Sequence, residues 1–149
     1  MKEIKVLLVD DEQSFVKTLS ERLQMRDLKN ETVYDGEQAL SFVDDKEPDV
    51  MVLDLKMPGI DGMEVLRQVT EKFPNMRVII LTGHGTDRDE EESRRIGVFD
   101  YLKKPTDIEL LVSRIKAAYN DKVEGSMAAA AFAEAGEFDT ARGFMKEKK

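Results

Sequence analysis

Short apolar runs of strand type alternate with amphipathic segments of helical period along most of the chain. The strand-like runs are Ile4–Val9, a weaker Glu31–Tyr34, Val50–Leu53, Val78–Leu81 and Val98–Leu102. Three of them are nearly continuous in Val, Ile, Leu and Met, as strands covered by helices on both faces are. The weaker second run suits a sheet edge. Between the runs, Phe15, Leu19 and Leu23 recur at four-residue spacing, Val65, Leu66, Val69 and Phe73 form a stripe, and Ile108, Leu111, Val112 and Ile115 form another. Turn and stop residues fall between these segments at Asp35-Gly36, Pro58-Gly59, Asp61-Gly62, Phe73-Pro74, Gly97 and Pro105. The pattern predicts an α/β fold of (βα)5 type, with a parallel sheet joined by right-handed crossovers.

Two stretches stand apart. "TDRDEEESRRI", Thr86–Ile96, has almost nothing apolar before Ile96. A helix there buries little area, so it is expected to be weakly held and movable. After Asn120 the texture changes. Residues 122–126 read as a polar hinge, and 127–149 as a helical hairpin-like extension of two short helices broken at Gly136. Phe138, Ala141, Phe144 and Met145 give its second helix an apolar edge. The main domain is then 1–121. "MAAAAFAEAGEFDTAR" resembles half of a helical repeat of tetratricopeptide type, and one such hairpin cannot bury its own face.

Length and composition narrow the class. At 149 residues with 41% hydrophobic content, one domain with a real core is expected, plus a small appendage. There is no cysteine, so disulfides and thiolate metal sites are excluded. No apolar run approaches the roughly 18 residues of a membrane span, and the amino terminus does not read as a secretory signal. A soluble cytoplasmic protein is expected. The net charge of −8 disfavours a nucleic-acid binder, which needs a basic face to displace counterions.

The chemistry gathers where the strands end. In an open parallel α/β sheet, ligands bind beyond the carboxyl ends of the strands. The first run ends in Asp10-Asp11, the third in Asp54, the fourth in Thr82-Gly83, and the fifth leads to Lys103-Lys104-Pro105. Crowded carboxylates without a counterion repel one another and resist desolvation. A hard divalent cation removes that penalty, and Mg²⁺ binds through one or two carboxylates, waters and phosphate oxygens. Asp54, closing the run expected to be most buried, is then placed as a nucleophile that forms an acyl phosphate. Mg²⁺, Lys104 and the Thr82 hydroxyl would each take one oxygen of the transferred group.

The motifs "LLVDDE", "DVMVLDLKMPGIDGMEVL", "VIILTGHG" and "FDYLKKP", spanning Ile4 to about Asn120, resemble in order and spacing a response-regulator receiver domain (CheY-like family) of two-component signalling. The resemblance implies a flavodoxin-like, doubly wound sheet of strand order 2-1-3-4-5. It implies that Asp54 is the phosphoacceptor. Asp11 and Asp54 would hold Mg²⁺ (or Mn²⁺) directly with the backbone carbonyl of Lys56, and Asp10 through water. Thr82 and Lys104 would bind the phosphoryl group, and a cis bond often precedes the proline matching Pro105. Tyr101 matches an aromatic that turns inward on activation, after Thr82 moves and opens space for it. Lys56 and His84 flank the site as expected modulators of acyl-phosphate lifetime.

His84 lies in a loop without the helical context of a phospho-donor histidine. The implied partners are therefore a sensor histidine kinase or phosphotransfer protein and a downstream protein target, with no membrane and no direct nucleic-acid contact. Whether phosphorylation drives homodimer formation stays open at this stage. No output domain is visible, so a stand-alone regulator is expected, one that assists its own phosphorylation and dephosphorylation but is not otherwise an enzyme. Two rivals remain. An unphosphorylated receiver-like interaction module would keep the acidic site as structure only. An aspartate-nucleophile phosphatase of the haloacid dehalogenase type needs an acid two residues after the nucleophile, where this chain has Lys56.

Overall fold

The computed structural model describes residues 3–134. Five strands, β1 (Val6–Val9), β2 (Asn30–Val33), β3 (Val50–Leu53), β4 (Arg77–Thr82) and β5 (Asp100–Lys103), alternate with five helices. The helices are α1 (Gln13–Gln24), α2 (Gly36–Asp45), α3 (Gly62–Lys72), α4 (Asp87–Ile96) and α5 (Ile108–Glu134). All pairings are parallel and the strand order is 2-1-3-4-5, the flavodoxin-like arrangement expected from the sequence.

The uninterrupted apolar runs follow from burial on both faces. Side chains alternate between faces of a strand, so a strand covered twice needs apolar residues at every position. Leu7, Val9, Met51, Leu53, Val78 and Ile80 face one way, onto Ala39 and Val43 of α2 and Val65, Leu66 and Val69 of α3. Val6, Leu8, Val50, Val52, Ile79 and Leu81 face the other, onto Val16, Leu19 and Leu23 of α1 and Leu111, Val112, Ile115 and Ala118 of α5. At β2 only Val33 is buried, as an edge strand tolerates.

Element ends differ from the expected runs by a residue or two, and at two of them another hydrogen bond claims the backbone. The β2 ladder stops at Val33 because the Tyr34 N–H donates to the Gln38 side chain. Val98 belongs to the end of α4, its N–H donating to the Ser93 carbonyl, so β5 starts later than its apolar run. Residues 122–126, expected as a polar hinge, continue α5 as helix. Two ion pairs pin this stretch to the amino-terminal edge of the sheet: Asp121 with Arg77 at 2.8 Å, and Lys122 with Asp49 at 2.5 Å. The cost of Gly125 within the helix is only about 1 kcal/mol. The expected break at Gly136 and the second helix of the extension lie outside the described residues.

The helix of highest charge, α4, buries only Ser93. It forms through its ends. Thr86 accepts from the Asp89 N–H while the Asp89 carboxylate accepts from the Thr86 N–H, a reciprocal cap. Acids fill its first turn and Arg94 and Arg95 its last, each opposite the helix dipole. Gly97, at φ +119°, closes it in the left-handed region.

The start of α3 is pressed against the end of β3. A Cβ on Gly62 would lie 2.3 Å from the Asp54 carbonyl oxygen and 2.5 Å from the Leu55 Cα, both backbone atoms that cannot yield without shifting the strand end. Gly62→Ala is therefore expected to cost about 1–3 kcal/mol, the range for overpacking. Urea denaturation checks this; an unchanged midpoint contradicts the close approach.

Candidate functional site

The sheet register sets the site. Val9 lies opposite Leu53, so Asp10 and Asp54 leave the sheet side by side, with the Asp54 N–H donating to the Val9 carbonyl at 2.9 Å. Both carboxylates are buried. One strand further on, β4 ends at buried Thr82, whose carbonyl accepts from the Lys104 N–H at 3.0 Å and draws the exit of β5 alongside. Lys104 precedes Pro105 through a cis bond.

The Lys104 ammonium occupies the middle of this cluster. It donates to Asp10 Oδ2 at 2.7 Å and Glu12 Oε1 at 3.1 Å, and lies 3.7 Å from Asp54 Oδ2. It also sits 4.3 Å from the centroid of the Phe15 ring, whose electron-rich face favours a cation. Asp10 Oδ1 accepts from the Glu12 N–H at 2.9 Å and so fixes the turn from β1 into α1. Asp54 Oδ1 faces the Lys56 N–H at 3.4 Å.

The electrostatics show crowding. Burial pushes the Asp10 carboxyl above its ordinary value and the neighbouring Asp54 charge adds to it, while bonds from Lys104 and the Glu12 N–H act the other way. Burial presses the Lys104 ammonium down, but its hydrogen bonds to Asp10 and Glu12 and the charges of Asp54 and Asp10 outweigh that and hold it above its usual value.

Asp10, Glu12 and Asp54 each offer an oxygen, all within 4.8 Å of one another. Three carboxylates against one ammonium leave an excess of negative charge. An all-oxygen donor set of that charge suits Mg²⁺ or Mn²⁺, so the residues fit such an ion.

The structure brings Asp10, Asp54, Thr82 and Lys104 to one edge, as the strand ends predict. Asp11, half-buried, is not among the grouped carboxylates; Glu12 is. The Lys56 ammonium turns away from Asp54 to pair with Asp89 at the start of α4, at 3.3 Å. His84 is exposed in the loop after β4. Tyr101, expected to be the switch aromatic, is buried, at 6% exposure, and Thr82 is buried too. The Tyr101 and Thr82 hydroxyls are both buried without a hydrogen-bond partner. Each such orphan costs about 1–3 kcal/mol. Burial raises the Tyr101 phenol, and the Asp89 and Glu90 carboxylates of α4 raise it further.

Sequence reasoning missed Glu12 as a partner of Lys104 and Phe15 as the surface beneath it. The signal for Glu12 was present in the run "DDE", and Phe15 follows it by one turn of helix.

The fold agrees with known proteins. Residues 6–116 match the family described as "Response regulator receiver domain". The chain belongs to that family. Receiver domains are the phosphoacceptors of two-component response regulators, and they interact with histidine kinases and output targets. Among solved structures, the receiver domain protein of Clostridium thermocellum is 32% identical with a TM-score of 0.76, over 80% of this chain and 96% of that one. A CheY-like receiver protein of Methanospirillum hungatei JF-1 shares the fold at 21% identity and a TM-score of 0.79, over 83% of this chain and 98% of that one. NtrX of Brucella abortus matches 91% of this receiver chain with only 30% of its own length, at 21% identity and a TM-score of 0.82. Among the described residues, no helix of the receiver domain is long and apolar enough to cross a membrane.

Removing the ammonium tests the cluster. Lys104→Met leaves carboxylates buried together and is expected to cost about 3–5 kcal/mol at neutral pH, as breaking a buried pair does. The sign follows from the raised ammonium. Its contribution is complete below the ordinary lysine value of 10.5 and fades as pH rises through the higher folded value. At the acid end the loss shrinks as the carboxylates protonate. Denaturation of both chains across pH checks this; a loss independent of pH contradicts it.

Proposed function

We propose that this receiver domain accepts a phosphoryl group on Asp54 in a Mg²⁺-dependent reaction and thereby controls a protein partner. The observation that carries this reading is the buried Asp54 carboxylate at the end of the central strand, 3.7 Å from Lys104 and grouped with Asp10 and Glu12. An Asp54 oxygen forms a new P–O bond as the P–N bond of a donor phosphohistidine breaks. The electron pair leaves with the imidazole, which takes up a proton. In such a transfer the protein mainly aligns the reactants and stabilises charge on the phosphoryl oxygens. A bound Mg²⁺, held by Asp54 and Asp10 with Asp11, Glu12 or the Lys56 carbonyl completing the set, would neutralise part of that charge.

Lys104 has a second task. Its bonds to Asp10 and Glu12 hold an ammonium beside Asp54 before the phosphoryl group arrives, so little reorganisation is needed when charge develops. The Thr82 hydroxyl, buried and unpartnered, gains an acceptor in the phosphoryl oxygens. The response then spreads along β4 into α4, which buries little and is secured mainly by its caps and ion pairs, as a shift between two populated arrangements. The donor would be a sensor histidine kinase or a phosphotransfer protein. Lys56 and His84, on the two loops flanking Asp54, would tune the lifetime of the acyl phosphate.

Incubation with a small phosphodonor and Mg²⁺, followed by mass measurement, tests this. One phosphoryl adduct is expected, absent without the metal and absent in Asp54→Asn. No adduct on the unaltered chain, or steady release of phosphate without one, contradicts it.

A further inference from the structure

The loop between β4 and α4 carries a glycine whose absent side chain has a specific consequence. A Cβ built on Gly85 would lie 1.8 Å from the Tyr101 hydroxyl oxygen, 3.1 Å from the ring carbon that bears it, and 2.9 Å from the Thr82 Cγ2. Real Cβ contacts do not come so close. The backbone of Gly85 is not in the left-handed region, unlike that of Gly59 or Gly97. Conformational freedom therefore does not explain a glycine here; the space does.

Three further observations bear on the same place. Tyr101 is buried although it lies on the edge strand β5. Its hydroxyl has no hydrogen-bond partner, so no polar contact draws it in. The Thr82 hydroxyl next to it is equally unpartnered.

We propose that Gly85 is the positioning residue of the switch: by leaving a berth between Thr82 and the start of α4, it lets Tyr101 lie inward. Any side chain at 85 fills the berth and drives the ring out. The inward ring abuts the loop that leads into α4, so the position of Tyr101 and the course of that loop are set together. When a phosphoryl group engages Thr82, the occupied berth carries that movement to α4. The berth stands on the geometry alone; its part in signalling rests on Asp54 being the phosphoacceptor.

The test keeps the two apart. In a chain carrying Tyr34→Phe and Tyr119→Phe, Tyr101 is the only tyrosine, and its phenol is followed by ultraviolet titration. It is expected to ionise above the ordinary tyrosine range, and Gly85→Ala is expected to lower that value by bringing the ring into solvent. An unchanged titration overturns the proposal. A double-variant cycle supplies a second readout. Gly85→Ala is expected to lower the urea midpoint with Tyr101 present and to have little effect in the Tyr101→Ala background; equal losses in both overturn the berth. Finally, the amide NMR spectrum of α4 is compared with and without the phosphoryl adduct, whose presence mass measurement establishes separately. Loss of the phosphorylation-linked changes in α4 in Gly85→Ala, with the adduct still formed, supports the coupling; retention of those changes overturns it. A missing adduct on the unaltered chain counts against the phosphoacceptor reading alone, and the titration and the cycle still decide the berth.

Discussion

The attraction between one ammonium and a set of carboxylates too close for comfort holds this site together. Lys104 bonds Asp10 and Glu12 and lies near Asp54 at the carboxyl edge of the sheet. The last strand is thereby joined to the first and the third, and the turn into α1 is fixed. Yet the neutralisation is incomplete, because several negative groups share one positive one. Crowded like charge in a low-dielectric setting is a source of free energy that a cation or a phosphoryl-bearing complex relieves. The same arrangement that strains the folded protein prepares it for its ligand.

The rest of the fold keeps that edge rigid on one side and yielding on the other. Around β1 and β3, apolar side chains pack on both faces, and close backbone approaches such as that at Gly62 leave no slack. Towards β5 the packing thins. There α4 depends on its caps and on ion pairs, among them Lys56–Asp89 and Arg67–Glu92, which span a groove of about 490 Å³ between it and the loop after Asp54. Contacts of this kind, exposed and screened, are each worth little. A rearrangement triggered at Thr82 therefore meets low resistance in that direction.

Much of this was legible in the sequence because the signals were of long range in pattern but local in chemistry. Uninterrupted Val, Ile and Leu runs announce doubly covered strands, and the polar residue that ends each one marks the functional edge. The strand ends at Asp10, Asp54 and Thr82 appear where those runs place them. What escaped was decided by single hydrogen bonds or by side-chain direction. The β2 and β5 limits turned on the Tyr34 and Val98 amides. The helical course of residues 122–126 turned on ion pairs to Arg77 and Asp49, which are remote in sequence. Placing Glu12, rather than Asp11, in the carboxylate group with Asp10 and Asp54 requires knowing how the chain turns after β1. The inward position of Tyr101 requires knowing that Gly85 stands above it.

The claim that matters most is that the clustered carboxylates at this edge are relieved by a divalent cation. Thermal or urea unfolding with and without Mg²⁺ measures it directly. Ligand binding to the folded state alone is expected to add about 2.7 kcal/mol when the free ion is at one hundred times its dissociation constant. The midpoint should rise with millimolar Mg²⁺ or Mn²⁺, and the rise should vanish in Asp54→Asn. A midpoint indifferent to both ions in the unaltered chain would contradict the account.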